Sequence, residues 1–362
     1  MLSELDLHVT NRCTTSCRYC CFSSNRKELE ELSTGKLMQL MRDAVALGCS
    51  HVHFTGGEPL LRDDIEELIA FARDLGLEMR LQTNGMLLDR GKAEKLMAAG
   101  LSAIMISLDA DRPEEHDAMR GAGTWALAVE AILAARDAGM TVRVNSVMTK
   151  VNWQRIHQTA RFVRHMGIAT YSAFYFSPIG CGAGVREVWI EPESYMDYWW
   201  KLTHDLRQDP TLDGMDIVIE KGYASWEEAQ EIDISAFTGC GGGCQHTYAK
   251  RDYLIVRCDG SVYPCIMGID GEPLGDIHQQ SLSDIYHASP RWESLKPMKD
   301  PFCDGCEYYT LCSEGCRYYP QTDACHDSRC TRGKIVPLCP IMKYNTKNGS
   351  LGGSSDDVLQ GE

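Results

Sequence analysis

The chain has 362 residues, 44% of them hydrophobic, and a formal net charge of −15. This length and composition predict a soluble globular protein with one large core and a smaller module, and they exclude a largely disordered chain. The excess of acidic side chains excludes nucleic acid as a non-specific partner, because that binding depends on Lys and Arg.

The amino terminus and the cysteine count together indicate the cellular compartment. MLSELDLHVT has neither the basic start nor the apolar stretch of a secretory signal, and the sequence has no run of eighteen apolar residues. Thiols stay reduced in the cytoplasm, and the odd total of seventeen cysteines fits a disulfide framework poorly. We therefore predict a cytoplasmic protein with no membrane partner, in which the clustered cysteines bind metal.

Short β-rich segments alternate with helical patterns over residues 1–180. The segments predicted as strands are LDLHV (5–9), HVHFT (51–55), MRLQT (79–83), AIMISL (103–108), VRVNSVM (142–148) and TYSAFYF (170–176). Successive β-α units require a parallel sheet with right-handed crossovers, and six units are fewer than the eight of a closed barrel. We predict an α/β fold, a partial (β/α)6 TIM-like barrel that is reactive where its strands end. Periodicity alone leaves a doubly wound sheet as the alternative.

Two of the intervening helices have recognisable starts. Ser33 or Thr34 is positioned to cap the helix after the first strand. Asp63 and Glu66 have the spacing of a capping box for the helix after the second strand. A glycine follows the last periodic residue of each helix, which predicts where both helices end.

Three cysteines follow the first strand directly, in CTTSCRYC (13–20), with the spacing C-x3-C-x2-C. One short loop can place Cys13, Cys17 and Cys20 at three corners of a cube, and soft thiolates are the usual ligands of iron-sulfur clusters and zinc. Three ligands are one fewer than a closed tetrahedral set. The pattern therefore predicts a metal site with one open position.

The second strand runs into FTGGEPLL, residues 54–61. Two glycines and a proline remove side-chain bulk, so that the backbone carbonyls of Gly57 to Pro59 can approach a cationic amino group closely. An ordinary turn between a strand and a helix is the alternative for this motif when it is taken alone.

The composition changes beyond residue 180. Residues 181–239, with YWWKLTHDL and WEEAQEI, are predicted to form a helical bridge. Eleven cysteines lie between Cys240 and Cys339, in a segment with little periodicity. Because such a segment buries little apolar surface, bound metal must stabilise a module over residues 240–345. Residues 346–362 are predicted to be a disordered tail.

CTTSCRYC followed by TGGEP resembles the radical S-adenosylmethionine (radical SAM) superfamily. QTNG (82–85), ISLDA (106–110) and HDAMRGAGTW (116–125) extend the resemblance over residues 5 to about 180. It implies a [4Fe-4S] cluster on Cys13, Cys17 and Cys20, whose open iron is chelated by the amino and carboxylate groups of SAM. It also implies a set of cofactor-binding residues, namely Tyr19, Gly56, Gly57, Glu58, Pro59, Asn84, Ser107, Asp109 and Arg120.

The family pattern implies a role for most members of this set. The GGEP segment lines the SAM amino group, Ser107 and Asp109 lie at the ribose, and Tyr19 packs near the adenine. Arg120 pairs with the SAM carboxylate, which suits a guanidinium because it can donate two parallel hydrogen bonds. A simple surface charge is the alternative role for Arg120.

The later cysteines resemble the SPASM domain of radical SAM enzymes. The family pattern C-x9–15-G-x4-C, C-x2-C-x5-C-x3-C and a final C is met at every spacing. The resemblance implies two auxiliary [4Fe-4S] clusters. The ligands of the first would be Cys240, Cys244, Cys265 and Cys316, and those of the second Cys303, Cys306, Cys312 and Cys339. This gives a C-terminal cysteine-rich SPASM iron-sulfur domain and a total of three clusters.

Alternatives remain open among the later cysteines. Zinc is the alternative metal, because C-x2-C pairs bind it readily. Cys258 competes with the upstream ligands of the first auxiliary cluster, and Cys325 and Cys330 compete with Cys339.

Three more cysteines lie outside the implied ligand sets. Cys181, in SPIGCGAG after the sixth strand, should lie at the reactive end, where it could donate a hydrogen atom to a substrate radical or simply pack. Cys21 and Cys49 are predicted to be small buried side chains.

The resemblance implies an oxidoreductase that cleaves SAM reductively and abstracts a substrate hydrogen with the 5′-deoxyadenosyl radical. Auxiliary clusters could then accept an electron from the substrate, which favours an oxidative outcome. We favour a peptide maturase that modifies or crosslinks a ribosomally made peptide. The alternative is oxidation or decarboxylation of a small molecule, such as a tetrapyrrole side chain or an amino sugar. A third class, an electron carrier, would not require GGEP, Ser107, Asp109 and Arg120.

The predicted partners follow from this chemistry. A flavodoxin or ferredoxin would supply the electron. Only twelve residues precede Cys13, so we expect a separate leader-peptide-binding protein, or residues 181–239, to recognise a peptide substrate.

Overall fold

The computed structural model describes residues 1–26, 28–220, 223–224, 251–294, 336–337, 343–345 and 350–352. The segment WEEAQEI lies outside these residues, and so does most of the predicted tail. The cysteines of the later module that also lie outside them are Cys240, Cys244, Cys303, Cys306, Cys312, Cys316, Cys325, Cys330 and Cys339.

Strands and helices alternate through the first 220 residues. The strands are β1 Glu4–His8, β2 His51–Thr55, β3 Glu78–Thr83, β4 Ala103–Ser107, β5 Thr141–Met148, β6 Thr170–Tyr175 and β7 Asp216–Glu220. The helices are α1 Thr34–Ala46, α2 Ile65–Asp74, α3 Arg90–Ala99, α4 Pro113–Arg120, α5 Thr124–Asp137, α6 Ile156–His165 and α7 Pro192–Gln208. The six strands predicted from the sequence are thus confirmed to within one residue at each end.

The later elements are short. They are β8 Tyr223–Ala224, β9 Tyr253–Val256, β10 Ser261–Tyr263, β11 Gly275–Asp276, α8 Leu282–Ala288, α9 Arg291–Ser294, β12 Val336–Pro337, β13 Lys343–Asn345 and β14 Ser350–Gly352. Strand β14 falls in the segment predicted to be a disordered tail.

Twelve of the described strands form one large open sheet, while β8 and β12 pair with each other in a separate antiparallel sheet. The order of the large sheet is β11-β10-β9-β1-β2-β3-β4-β5-β6-β7-β13-β14, and β9 together with β1 to β7 forms a continuous parallel array. The two ends of this order do not meet, so the barrel is partial and the predicted α/β class is confirmed. Because the strands are parallel, the loops that follow them all lie at the carboxyl edge of the sheet.

The two faces of the sheet differ in polarity. Leu5 and Leu7 of β1 are fully buried in the apolar core, which also contains the inner residues of α1 and α2. Asp6 and His8 alternate onto the opposite face. There the Asp6 carboxylate lies 3.4 Å from Nδ1 of His53.

The predicted helix starts have different outcomes. Ser33 caps α1 as predicted, because its hydroxyl accepts a hydrogen bond from the Lys36 backbone N–H at 3.3 Å. The predicted Asp63–Glu66 capping box is wrong. Helix α2 follows Asp64 without a side-chain cap, because the Asp64 carboxylate instead accepts hydrogen bonds from Arg62 and Thr34.

None of the helices among the described residues combines the length and the apolar character that crossing a membrane requires.

Candidate functional site

The loops after β1 and β2 are joined by backbone hydrogen bonds at the carboxyl edge of the sheet. The Gly57 N–H donates to the Thr10 carbonyl at 2.7 Å, and the Glu58 N–H donates to the Arg12 carbonyl at 2.8 Å. The cysteine loop therefore begins in direct contact with the GGEP segment, and the two motifs form one unit.

The glycines of GGEP are required by this contact. A Cβ atom on Gly57 would lie 2.1 Å from the Arg12 carbonyl oxygen, and one on Gly56 would lie 2.6 Å from the Thr10 carbonyl oxygen. Gly56 also has a φ of +137°, which only glycine adopts readily. Both glycines thus make room for the cysteine loop, a role that the sequence pattern did not indicate.

The three predicted cluster ligands lie on this loop with partly exposed side chains. The Thr15 hydroxyl lies 3.4 Å from the sulfur of Cys13 and 3.4 Å from the sulfur of Cys17, and the Ser24 backbone N–H donates to the Cys20 sulfur at 3.5 Å. Three thiols on one loop, each within hydrogen-bonding distance of a polar group, fit the soft donor set of an iron-sulfur cluster.

The thiols at this site are perturbed by their surroundings. Burial raises the pKa of Cys13, and the negative charges of Glu58 and Cys17 raise it further. Burial also raises the pKa of Cys17, although the positive charge of Arg120 opposes that change. The raised pKa values favour the protonated thiols. A bound metal would instead favour the thiolates, because coordination deprotonates a thiol.

Asn25 clamps the cysteine loop. Its side-chain oxygen accepts from the Cys13 N–H at 2.8 Å, and its Nδ2 donates to the carbonyls of Cys13 and Thr15 at 2.7 and 3.1 Å. The backbone of Asn25 has a φ of +62°, a conformation that Asn tolerates better than most residues. Asn25 could not be predicted from the sequence, since an isolated Asn downstream of a motif carries no distinctive signal.

Glu58 is buried, and its carboxylate accepts hydrogen bonds from three groups of the protein. Oε1 accepts from the Leu60 N–H and the Thr83 hydroxyl, at 3.1 and 2.7 Å, while Oε2 accepts from the Asn84 N–H at 2.8 Å. Burial raises the pKa of Glu58 to about 7 even though these three donors favour the charged form. The carboxylate thus ties the loop after β2 to the loop after β3.

Asn84, in the loop after β3, reaches the cysteine loop. Its Nδ2 lies 2.9 Å from the Thr14 hydroxyl and 3.5 Å from the Cys13 sulfur. The loops after β1, β2 and β3 therefore meet around Cys13.

Tyr19, Asp109 and Arg120 contact one another. Arg120 donates from Nε and Nη2 to the two Asp109 carboxylate oxygens, at 2.7 and 3.1 Å, and the Tyr19 hydroxyl donates to the same carboxylate. The Arg120 side chain is only 11% exposed, which excludes the alternative of a surface charge. Burial alone would raise the pKa of Asp109, but the Arg120 charge holds it below its usual range.

Ser107 is buried at the end of β4, next in register to Asn145 of β5. Pro59 begins a short 3-10 turn directly after Glu58. Both residues lie at the carboxyl edge of the sheet, where the sequence predicts the reactive end of the barrel.

Cys181 lies beside the cysteine loop. Its backbone N–H donates to the Cys20 carbonyl at 2.9 Å. The preceding Gly180 has a φ of +57°, and a Cβ atom there would lie 2.2 Å from the Cys21 carbonyl oxygen. The loop after β6 is therefore packed directly against the cysteine loop.

Cys49 is buried, as predicted, and burial raises the pKa of its thiol to about 11.

Cys265 and Cys258 occupy different surroundings. Cys265 belongs to an apolar cluster that also contains Phe22 and Ile179, and Cys20 packs against this cluster. Cys258 is buried elsewhere, in the turn between β9 and β10, where its carbonyl accepts from the Leu32 N–H at 2.7 Å. Burial raises the pKa of Cys258 to about 12.

His8 is a further buried residue that the sequence analysis missed. It lies at the end of β1, stacked on Phe22 with ring centroids 4.3 Å apart. Burial lowers the pKa of His8 to about 3, so the ring is neutral.

Two family models match the chain. The radical SAM superfamily model matches residues 7–163, and the SPASM model, an iron-sulfur cluster-binding domain, matches residues 244–316. PqqA peptide cyclase from Gluconobacter oxydans is 29% identical over 359 residues, which cover 96% of this chain and 92% of that protein. AdoMet-dependent heme synthase from Nitratidesulfovibrio vulgaris is 26% identical over 323 residues, which cover 85% of each protein.

A solved structure shares the fold. Streptococcus suis SuiB bound to S-adenosylmethionine superimposes with a TM-score of 0.73 and 18% sequence identity, covering 90% of this chain and 77% of that chain.

The fold and the site together define an iron-sulfur enzyme whose cysteine loop lies at the carboxyl edge of a partial parallel barrel. The chain carries a radical SAM domain over residues 7–163 and a SPASM domain over residues 244–316. Its cofactors therefore include iron-sulfur clusters and S-adenosylmethionine, and the family resemblance stated from the sequence is confirmed.

Proposed function

We propose that this radical SAM enzyme oxidatively modifies or crosslinks a ribosomally made peptide. The relative named PqqA peptide cyclase supports this proposal, because it matches over nearly the full length of both chains. The observation that carries the chemistry is the meeting of three strand-end loops around Cys13, with all three thiols of C-x3-C-x2-C on one loop.

The protein's own groups would hold the reactants and exclude water. When bound, the cluster and SAM supply a 5′-deoxyadenosyl radical that abstracts a substrate hydrogen. Cys13, Cys17 and Cys20 would hold the cluster, and the backbone of Gly56 to Pro59 would accept hydrogen bonds from the SAM amino group. Glu58 supports these contacts indirectly, since its carboxylate is occupied by three protein donors.

We further propose that the Tyr19–Asp109–Arg120 group lies against the nucleoside and the methionine carboxylate. The Asp109 carboxylate and the Arg120 guanidinium hold each other in one orientation, so a ligand would meet a preorganised pair rather than two separate charges. Ser107 and Asn84 would complete the cofactor pocket. Cys181 is proposed as a hydrogen-atom donor, which its contact with the Cys20 carbonyl supports by proximity.

Two auxiliary [4Fe-4S] clusters are proposed for the SPASM domain, which gives three clusters in all. Cys265 supports the first of them, because it packs in the apolar cluster that borders Cys20. Cys258 is less suited, since it is buried beside Leu32 in a different place.

The proposed partners are a flavodoxin or ferredoxin as the reductant and a separate protein that binds the leader of the peptide. The proposed location is the cytoplasm, where a reducing environment keeps so many thiols available for iron.

The first test asks whether the three thiols carry radical chemistry. The full-length protein is reconstituted anaerobically with iron and sulfide, given SAM and dithionite, and assayed for 5′-deoxyadenosine. We expect production by the wild type and a loss of at least 100-fold in the triple variant Cys13→Ala, Cys17→Ala and Cys20→Ala. Cys49→Ala is the matched control, because the thiol of this buried cysteine donates to the backbone carbonyls of Ser3, just before β1, and of His51 in β2, so the variant should retain activity. Equal production by the triple variant would contradict the assignment.

The second test concerns the substrate. Peptides encoded beside the gene are incubated with the active enzyme, and their masses are measured. A loss of hydrogen from one peptide, seen only with SAM, is the expected result.

A small-molecule substrate is the second candidate function, because the relative named AdoMet-dependent heme synthase covers most of the chain at similar identity. Unchanged peptide masses, together with 5′-deoxyadenosine formation driven by a tetrapyrrole, would favour it.

A further inference from the structure

Two side chains approach the sulfurs of the cysteine loop without being cluster ligands. Asn84 Nδ2 lies 3.5 Å from the Cys13 sulfur. The Thr15 hydroxyl lies 3.4 Å from both the Cys13 and the Cys17 sulfur. Both residues are buried, so water does not compete strongly for these contacts.

The orientation of the Asn84 amide is fixed by a backbone donor. The Met86 N–H lies 3.0 Å from one side-chain atom of Asn84, and an N–H can only donate, so that atom is Oδ1. The other atom, Nδ2, then faces the cysteine loop. The Asn84 N–H is itself held by Glu58 at 2.8 Å, which keeps the amide in place.

The direction of the Thr15 hydrogen bond follows from the charge of a metal-bound cysteine. A thiolate has no proton and only accepts, so a hydroxyl between two thiolates must donate to one of them. Asn84 Nδ2 lies 3.4 Å from the Thr15 oxygen and can supply it with a donor in turn. The two side chains thus form a short donor chain that ends on sulfur.

We propose that Asn84 and Thr15 are positioning residues that donate hydrogen bonds to the sulfurs of Cys13 and Cys17 and thereby raise the reduction potential of the cluster held there. The inference rests on the proposed assignment of a cluster to these cysteines. One-electron reduction increases the negative charge on the sulfur ligands, and donors to sulfur stabilise the reduced state more than the oxidised state.

The test measures the potential directly and needs no substrate. The reconstituted full-length protein is titrated without SAM and followed by electron paramagnetic resonance, and the signal that changes when SAM is later added identifies the first cluster. Thr15→Val removes the hydroxyl at nearly constant volume. Asn84→Asp keeps the acceptor for Met86 and removes the N–H donor.

In each variant we expect a roughly tenfold fall in the ratio of reduced to oxidised cluster at a fixed potential, equivalent to about 59 mV for one electron. Thr15→Ser keeps the hydroxyl and should keep the wild-type potential. Thr14→Val is the matched control, since the Thr14 hydroxyl contacts the Asn84 amide and lies outside the described contacts to sulfur.

Several outcomes would overturn the inference. They are an unchanged potential in Thr15→Val with full iron content, an equal shift in Thr14→Val, or an Asn84→Asp variant that loses only SAM affinity. If Thr15→Val binds no cluster, the potential of Asn84→Asp is the test, and an unchanged potential in that variant would overturn the inference. A wild-type protein that assembles no cluster at these cysteines would instead refute the proposed function.

Discussion

The carboxylate of Glu58 is a buried acceptor that serves three donors at once. Oε1 and Oε2 both accept, so neither oxygen can be replaced by a donor without leaving a partner unpaired. Burial nevertheless raises the pKa of Glu58 to about 7, well above the 4.5 of an ordinary glutamate. Ionising this group therefore costs folding free energy that its hydrogen bonds only partly offset.

Glu58→Gln should destabilise the protein by about 1–3 kcal/mol, because the amide cannot accept at both positions. The pH dependence should change as well. A folded pKa of about 7 means that stability from this group is present below about pH 4.5 and is lost as the pH rises through 7. We expect the wild-type unfolding temperature to fall more between pH 5 and pH 8 than that of Glu58→Gln.

Thermal unfolding at the two pH values measures this difference. Exposed Glu67→Gln, on α2, is the control and should follow the wild type. The same pH slope in Glu58→Gln and the wild type would show that Glu58 does not titrate as described.

An individual site residue can be predicted from the sequence when it belongs to a recognisable motif. The spacing of the three cysteines was enough to place them on one loop. The supporting contacts of Thr15, Asn25 and the Asn84 amide could not be predicted, because they depend on how three separate loops approach one another. The mutual pairing of Asp109 and Arg120 was missed for the same reason, since each was matched to a ligand rather than to the other.

The GGEP and cysteine loops form one structural element, and Gly57 is the point of closest approach. In Gly57→Ala the added carbon would lie 2.1 Å from the Arg12 carbonyl oxygen, a backbone atom that cannot move cheaply. We expect the cysteine loop to be displaced and the iron bound after reconstitution to fall by at least half.

Iron and sulfide analysis measures this effect. Gly35→Ala is the matched control, because nothing lies within 4 Å of a Cβ at that helical position. Alanine there should stabilise α1 by up to about 1 kcal/mol. Full iron content in Gly57→Ala would contradict the steric argument.

Strands were predicted well where they alternate with clear helical patterns, and less well elsewhere. Strand β7 lies in the segment interpreted as a helical bridge, because a five-residue buried run is too short to show a period. The prediction of a capping box on α2 is wrong because the Asp64 carboxylate accepts hydrogen bonds from Arg62 and Thr34, which are not part of the capping-box pattern. The parallel pairing of β9 with β1 could not be predicted, since no local signal records a partner so distant in sequence.

The later residues and the cysteine loop share one apolar cluster. It includes Phe22 after the cysteines, Ile179 after β6, and Ile255 of β9. The Gly180 N–H also donates to the Asp270 carboxylate at 2.6 Å. These contacts couple the region after residue 250 to the cysteine loop that is proposed to hold the first cluster.

Ile255→Ala should therefore cost about 2–5 kcal/mol, as expected for a fully buried isoleucine, and should also lower the iron bound by the reconstituted protein. Ile255→Val is the matched control, with an expected cost of about 0.5–1.5 kcal/mol and normal iron content. Thermal unfolding and iron analysis check both. A destabilised Ile255→Ala variant that binds as much iron as the wild type would show that the region after residue 250 is not coupled to the cysteine loop.

The neighbouring positions of β1 and β9 have a consequence for synthesis on the ribosome. About 245 residues separate the end of β1 from the start of β9. At 5–20 residues per second, one side of β1 waits on the order of 10 to 50 seconds for its partner strand. A nascent chain in that interval presents an unpaired edge, so a chaperone that shields it should improve the yield of folded enzyme.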